Sequence, residues 1–356
     1  MPTDLPQTIP PMLARAEKEL PRGEGWSYEP KWDGFRAIVF RDEDGVRLQS
    51  RDEKPFDRYF PEVAAAVAAT APARWVGDGE ILIVRPEGLG FDELLQRIHP
   101  AASRVAKLAG GWPATLILFD LLAEGGDDLR DRPLSERRDR LAALSARLGI
   151  EKAPQDLAHL MPGPEVLVTP WTHDVELAER WFADEAGIGQ DGVLAKRDDV
   201  TYRPGERVMV KVKHRRTVDC VVGGYRVAKN GDGIGSLLLG LYGDDDVLHY
   251  VGHTSSFKAA ERREIREILA PLEGGESFGH GRTPGGPSRW SAGRDTAWVS
   301  LEPSIVCEVS VDRLQSGRFR HAATFVRWRD DRDPHTCTFD QLGGSPPGWV
   351  MPFHGS

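Results

Sequence analysis

The sequence predicts an α+β chain in two parts: a larger domain over residues 1–213, built of antiparallel sheets flanked by helices, and a small β-barrel over residues 214–356. Three observations predict it. The chain has 356 residues, enough for two hydrophobic cores. Up to residue 213, alternating or apolar β-type runs are interleaved with three helix-like stretches. Beyond it the runs are short, mostly β-type and separated by turn residues, with one charged helix among them.

Composition bounds the function before any motif does. With 40% hydrophobic and 28% charged residues, the chain is globular in type. No apolar run reaches ~18 residues, so no membrane span or membrane partner is expected. Residues 1–11 have neither a basic start nor an apolar stretch, and no secretory signal is expected. Cys220, Cys307 and Cys337 are far apart and make no CxxC pair. They read as reduced thiols of a cytoplasmic protein, not as a disulfide or zinc framework. The net charge of −9 argues against a protein that coats nucleic acid through its global field. Residues 1–213 carry 29 basic and 37 acidic side chains, and residues 214–356 carry 17 and 18. Any DNA contact must therefore come from local basic patches.

The elements follow in order. Pro10-Pro11-Met12-Leu13 is a short entry segment. Glu29-Pro30-Lys31-Trp32-Asp33-Gly34-Phe35-Arg36 reads K-x-D-G-x-R, and Phe35 to Phe40 alternates like a half-buried strand. That places Lys31 in a strand-turn-strand corner, able to present its ammonium into a cleft. A lysine becomes a nucleophile when burial or neighbouring cations lower its pKa from ~10.4. By residue type alone, a solvated Lys–Asp pair on a turn fits as well. After an Asp-rich turn, Val46 to Arg51 is the return strand of a hairpin. Pro61 opens an alanine-rich helix to about Thr70, with proline in its first turn. Trp75 to Val84 is a strand containing Asp78-Gly79-Glu80, which alone reads as a turn before a buried strand. Thr115 to Leu122 is a buried strand in which Phe119 reads as core, and Leu134 to Leu148 is an amphipathic helix. Val166 to Thr169 is a strand and Asp174 to Ala186 a helix. Past Gly187 and Gly189 comes Asp191-Gly192-Val193-Leu194-Ala195-Lys196. Val208 to Lys213 alternates with period two, so Lys211 and Lys213 share one face, as on a solvated edge strand. With His214-Arg215-Arg216 they make a cationic run.

The second part reads as strands at Val218–Tyr225, Ser236–Tyr242, Val247–Gly252, Trp298–Val311 and Ala323–Arg329, with a helix at Lys258–Leu269. Glu273 to Thr296, rich in Gly, Pro, Ser and Arg, is expected to be a mobile loop. This pattern fits a barrel of the OB type, and an SH3-like barrel fits the composition equally. The last constellation is Arg327-Trp328-Arg329-Asp330-Asp331-Arg332, following Arg318-Phe319-Arg320-His321. Its basic-aromatic interleaving fits a generic nucleic-acid surface.

Taken together and in this order, the motifs resemble those of the covalent nucleotidyltransferases, and among them the short, stand-alone bacterial ATP-dependent DNA ligases. The resemblance spans residues 10 to 335, nearly the whole chain. It implies a nucleotidyltransferase (adenylation) domain followed by an OB-type domain. It implies ATP and Mg²⁺ (or Mn²⁺) as cofactors and nicked duplex DNA as partner. The reaction it implies seals a 3′-hydroxyl to a 5′-phosphate through a lysyl-AMP and adenylated DNA, in repair, by a monomer acting near other repair enzymes. Carried over, Lys31 is the AMP-accepting catalytic residue and Glu29 contacts the adenine amino group. Phe119 and Leu194 sandwich adenine. Glu80 accepts from the ribose hydroxyls, and Glu80 and Asp191 hold the metal. Arg36, Arg51, Lys196, Lys211 and Lys213 supply cations to phosphates. Arg327, Arg329 and Arg332 swing over ATP and orient pyrophosphate, with a hinge near Glu206 and His214-Arg215-Arg216. Two departures stand out: Asp191 replaces the usual glutamate, and Arg51-Asp52-Glu53 lacks the glycine of R-x-G. RNA ligases and GTP-using capping enzymes share the lysine motif, and a non-catalytic DNA-binding descendant would share the barrel.

Overall fold

The protein is described from a computed structural model at residues 7–70, 74–86, 88–155, 159–183, 190–213, 216–228, 231, 233–278, 297–311, 314–315 and 317–342. It is α+β, as expected. The chain packs into two compact units, Met1–His214 and Arg215–Ser356.

Among the described residues the first unit holds two main sheets and a separate two-stranded ribbon of Val84–Arg85 and Gly88–Leu89. The larger, seven-stranded one is built around strands β3 (Phe35–Arg41), β4 (Val46–Ser50), β5 (Trp75–Leu82), β6 (Thr115–Glu124) and β7 (Val166–Val168), in the order β7-β6-β5-β3-β4. The four-stranded one takes β1 (Leu13–Glu17), β2 (Trp26–Pro30), β8 (Gly192–Arg197) and β9 (Arg207–Lys213), in the order β1-β9-β8-β2. So β2 and β3 are not a hairpin. Residues 31–34 carry the chain from one sheet to the other. The β3–β4 hairpin forms as expected. The expected antiparallel pairing holds for most of these strands, with three exceptions: β1 pairs β9 in parallel, β7 pairs β6 in parallel, and Glu151–Lys152 pairs β7 in parallel. A two-sided apolar strand such as β6 has no alternation that would reveal its partner's direction.

Helix α1 (Pro61–Ala69) starts on its proline, and α4 (Leu134–Leu148) ends on Gly149 in the left-handed region at φ +68°. Between them lie α2 (Phe91–Arg97) and α3 (Ala102–Gly111), which the sequence reading did not identify. The first is two turns long and the second ends in Gly110-Gly111, so neither sustains a long apolar stripe. Helix α5 spans Val175–Ala183. The expected continuation to Ala186, and Gly187 and Gly189, lie outside the described residues.

The main sheet of the second unit is antiparallel and takes β10 (Arg216–Val227), β11 (Ile234–Tyr242), β12 (Leu248–Thr254), β13 (Val306–Val311) and β14 (Thr324–Trp328), in the order β12-β11-β10-β13-β14, with α6 (Ala259–Leu269) packed on β11. Among the described residues the ladder does not close into a continuous barrel. Its two edges meet at one parallel bridge, Thr254 with Ala323, where the Ala323 N–H donates to the His253 carbonyl at 2.9 Å. The strand expected over Trp298–Val311 is broken into Val299–Ser300 and β13 around Pro303, which can donate no ladder hydrogen bond. The apolar residues of this sheet form their own core around Val221, Leu237, Leu239, Leu241 and Val309. The three cysteines are free and buried in it. Residues 279–296 of the expected loop, and His214 and Arg215 of the expected hinge, lie outside the described residues.

Three glycines allow the close approaches on which the sheet crossing depends. A Cβ on Gly34 would lie 2.2 Å from the Ile81 carbonyl oxygen, and one on Gly79 would lie 2.7 Å from that of Ile117. At Gly192 it would lie 2.0 Å from that of Val212, and the residue sits at φ +133°. Each is the glycine of an Asp-Gly pair noted in the sequence. Glu53, where R-x-G would have glycine, takes φ +59° and still closes the turn, its N–H donating to the Ser50 carbonyl at 2.9 Å. A Gly192→Ala variant should lose roughly 2–4 kcal/mol of stability. A urea midpoint equal to the parent's would refute the tight approach of β8 and β9.

Candidate active site

Lys31 stands at the sheet crossing, fixed by its backbone. Its N–H donates to the Gly192 carbonyl at 2.9 Å, and its carbonyl accepts from the Asp191 N–H at 2.9 Å. Its ammonium pairs with Asp191 Oδ2 at 2.8 Å, and Lys213 reaches the same oxygen at 2.6 Å. Burial works against ionisation of Asp191, but the two lysines overcome it and hold its pKa at about 2. At neutral pH this carboxylate orients Lys31 and does not take its proton.

Around Lys31 a pocket of about 190 Å³ is lined by Glu29, Trp32, Arg36, Arg51, Glu80, Phe119, Leu194, Arg207, Met209 and Lys211, among others. Eight of the residues singled out in the sequence therefore converge here: Glu29, Lys31, Arg36, Arg51, Glu80, Phe119, Leu194 and Lys211. Lys211 has its pKa lowered by burial and then by Lys213, Lys31, Arg51 and Arg207. That mutual repulsion marks a site suited to a polyanion.

The pocket floor is made of buried ion pairs. Arg36 grips Asp78 in a bidentate pair, Nε to Oδ1 at 2.5 Å and Nη2 to Oδ2 at 2.6 Å. The Tyr202 hydroxyl donates to Asp78 Oδ2 at 2.6 Å and accepts from the Met12 N–H at 3.1 Å. Arg36 is thus already neutralised by Asp78. Glu29 is held by Lys196 at 2.5 Å and by Arg138 at 2.8 Å. Lys196 is 1% exposed and sits behind the pocket. Burial lowers its pKa, Glu29 opposes that, and Arg138 adds to it. Its ammonium and the Arg36 guanidinium each lie 4.6 Å from the centre of the Phe119 ring.

Arg327, Arg329 and Arg332 belong to the second unit, and each meets a carboxylate there. Arg329 Nη1 donates to both oxygens of Asp219 at 2.9 Å, and its Nε and Nη2 bind Asp331. Arg332 lies 3.5 Å from Asp219, and Arg327 donates to Glu308 at 2.7 Å.

Sequence reasoning missed Arg138, Arg207, Asp78, Tyr202 and Trp32. For Arg138 a signal existed. It lies on α4 between Leu134 and Leu141, at the spacing that shares the buried face of a helix. Glu80 was named, but not its environment. Burial, opposed by Lys31 and Arg36 and reinforced by Asp33 and Asp78, lifts its pKa to about 7.

The crossing of two sheets around one lysine, with a cationic pocket over it, defines a nucleotidyltransferase. Residues 11–213 match the ATP dependent DNA ligase domain, and residues 230–332 match the ATP dependent DNA ligase C terminal region. The chain belongs to the ATP-dependent DNA ligases. It is 49% identical to DNA ligase C of Mycobacterium tuberculosis over 346 residues, covering 94% of this chain and 93% of that protein. It is 48% identical to DNA ligase C2 of Mycolicibacterium smegmatis, with 96% and 97% covered. A structure from a study of DNA binding with a minimal scaffold by Lig E DNA ligases shares the fold at a TM-score of 0.52. It is 18% identical, with 89% of this chain and 99% of that one covered.

The raised Glu80 pKa has a sign that can be measured. Between its usual 4.5 and about 7 the folded chain holds a proton that the unfolded chain has released. Stability contributed here therefore falls as pH rises from about 4.5 to 7, by at most ~3 kcal/mol. Asp191 has the opposite sign. Its contribution is present above 3.8 and is lost as pH falls towards about 2, outside that window. Unfolding midpoints of Glu80→Gln at pH 5 to 8 should slope less than the parent's and exceed them at pH 8. Parallel slopes would show that Glu80 does not titrate there.

Proposed function

We propose that this ligase seals nicks bearing a 3′-hydroxyl and a 5′-phosphate in duplex DNA, through a lysyl-AMP on Lys31 and then an adenylated DNA end. The observation that carries the reading is the charge arrangement of the pocket. One lysine is held at a sheet crossing by Asp191, and Arg51, Arg207 and Lys211 stand around it in mutual repulsion. A nucleoside triphosphate relieves that repulsion and brings its α-phosphorus to the lysine.

In the first step the Lys31 nitrogen attacks the α-phosphorus, and the protons it gives up pass to water. The new P–N bond forms as the bond to pyrophosphate breaks. AMP next passes to the 5′-phosphate of the nick, and the 3′-hydroxyl then displaces it. Such transfers rest on positioning and on cations around the transferring and leaving groups. In this reading Phe119 and Leu194 offer apolar faces to adenine, and Glu29 faces its amino group, held in place by Lys196 and Arg138. Glu80 takes the ribose hydroxyls. Arg51, Arg207, Lys211 and Lys213 meet phosphates, while Arg36 and Lys196 act mainly by stiffening the floor.

Among the described residues no three metal-ligating side chains gather into a cage. Two carboxylates coupled to Lys31, Glu80 and Asp191, fit the way Mg²⁺ is held by one or two acids plus substrate phosphates. Mg²⁺ or Mn²⁺ bound there would neutralise phosphate charge. No helix among the described residues is long and apolar enough to cross a membrane. We take the enzyme to act as a cytoplasmic monomer in repair, alongside other repair enzymes.

Incubation with α-labelled ATP and Mg²⁺ should give a covalent AMP adduct on a denaturing gel, and Lys31→Ala should abolish it. An undiminished adduct on that variant would remove Lys31 from the chemistry. For the tail, Arg332→Ala is the cleaner probe, since the Arg332 contacts to Asp219 and to the Thr336 carbonyl, each at 3.5 Å, are longer than those that hold Arg327 and Arg329. If the tail serves the leaving pyrophosphate, this variant should slow self-adenylation at least tenfold and spare the sealing of a pre-adenylated nick. Equal losses in both assays, deepening with salt, would return the tail to DNA binding.

A further inference from the structure

The arginines of the tail are held by an acid that lies far from them in sequence. Asp219 stands near the start of β10, 110 residues before Arg329. Cross-strand register sets it opposite Glu308 of β13, and sets Glu308 opposite Arg327 of β14. Directly opposed residues share one face of a sheet, so two acids and one arginine form a row across three strands.

The acids divide the three cations unequally. Glu308 takes Arg327 at 2.7 Å. Both oxygens of Asp219 take Arg329 Nη1 at 2.9 Å, and Asp331 takes its Nε at 2.8 Å and its Nη2 at 2.9 Å. All three nitrogens of that guanidinium are engaged, and its charge faces two carboxylates. It has little left to offer a polyphosphate. Arg332 differs. Its side chain is 37% exposed, against 17% for Arg329. It meets Asp219 and the Thr336 carbonyl only at 3.5 Å, and the Cys337 thiol stands beside it. Its Nε is buried and makes no hydrogen bond.

Asp219 also fixes where Arg332 stands. At the start of the segment 329–341, the Arg329 side chain sits on the Asp219 carboxylate, and the Arg329 carbonyl accepts from the Arg332 N–H at 3.1 Å. At its end, Gln341 Oε1 accepts from the Asp219 N–H at 3.0 Å, and Gln341 Nε2 donates to the Asp219 carbonyl at 3.1 Å. Both ends of the segment close on one residue. Between them the Tyr242 N–H donates to the Cys337 carbonyl at 2.8 Å.

We propose that Asp219 is the positioning residue of the tail: it takes up the charge of Arg329, ties both ends of the segment 329–341, and leaves Arg332 as the cation offered to the leaving pyrophosphate. This rests on the reading that the tail serves that leaving group. Within it, Arg329 is a clamp and Arg332 the working cation.

The test uses the full chain with Asp219→Asn, Asp219→Glu, Gln341→Ala and Arg332→Ala. Three reactions are followed: self-adenylation over a range of ATP, its reversal by pyrophosphate, and sealing of a pre-adenylated nick. Urea midpoints are measured beside them. Asp219→Asn keeps the backbone bonds to Gln341 and removes the charge. It should slow self-adenylation at saturating ATP about tenfold, raise the pyrophosphate needed for reversal by a similar factor, and leave sealing within about twofold. Asp219→Glu returns the charge and should recover most of the loss. Gln341→Ala frees the other end of the segment and should show the same pattern more weakly, and it decides alone if Asp219→Asn does not fold. A purely structural Asp219 would lower all three reactions together, in step with the urea midpoint, and that result would overturn the proposal. So would parent rates in Asp219→Asn and Gln341→Ala while Arg332→Ala is slow. Parent rates in Arg332→Ala would instead overturn the reading of the tail on which the proposal rests.

Discussion

The carboxylate of Asp191, shared by Lys31 and Lys213, is the interaction on which the rest of the first unit turns. It joins three stretches distant in sequence: the sheet crossing, the start of β8 and the end of β9. Two backbone hydrogen bonds between Lys31 and the Asp191–Gly192 pair lock the same junction from below. Burial alone would push a carboxyl towards its neutral form, and here two ammonium groups reverse the sign. Removing either partner leaves the other charge in a partly dry place, which is far costlier than the pair is favourable. The junction is thus sensitive to every group in it.

Beneath it lies a second tier of buried charge whose worth is positional. Asp78 is bound by Arg36 and Tyr202, Asp120 by Arg137, and Glu29 by Arg138 and Lys196. Buried pairs of this kind break roughly even against apolar packing in stability. What they fix is where strands β2, β3, β5, β6 and β8 stand relative to α4. Arg137 and Arg138 are consecutive, yet they reach Asp120 on β6 and Glu29 on β2, one in each sheet. A single turn of one helix therefore sets the spacing between the two sheets that wall the pocket.

This explains how far the sequence could be read. Local features were legible: the β3–β4 hairpin, the proline start of α1, the span of α4, and the Asp-Gly pairs whose glycines prove to be close approaches. The gathering of motif residues into one pocket was legible through their order. Partnership was not. Lys31 and Asp191 are 160 residues apart, and Arg138 and Glu29 are 109 apart. No period or spacing encodes such pairs. A cation in a motif shows its charge but not what neutralises it, so Arg36 and Lys196 read as phosphate ligands while the fold gives Arg36 to Asp78 and Lys196 to Glu29. Strand direction around β6 was hidden for a related reason, since a strand buried on both faces has no polar side to read.

Glu80 and Asp191 show how one lysine can sit between two acids of opposite tendency. Both are coupled to Lys31. Asp191 has two ammonium groups against it and is held low. Glu80 sees Lys31 and Arg36, but Arg36 is committed to Asp78, and Asp33 and Asp78 add negative charge of their own. The cation that would have balanced Glu80 is spent on the floor of the pocket. Glu80 is left short of positive charge, while Arg51, Arg207 and Lys211 on the same walls are left short of negative charge. A ligand that brings phosphates to the second group and hydroxyl donors or a divalent cation to the first corrects both deficits at once. Neither phosphate nor nucleoside alone does so, and under the proposed function a whole nucleoside triphosphate does.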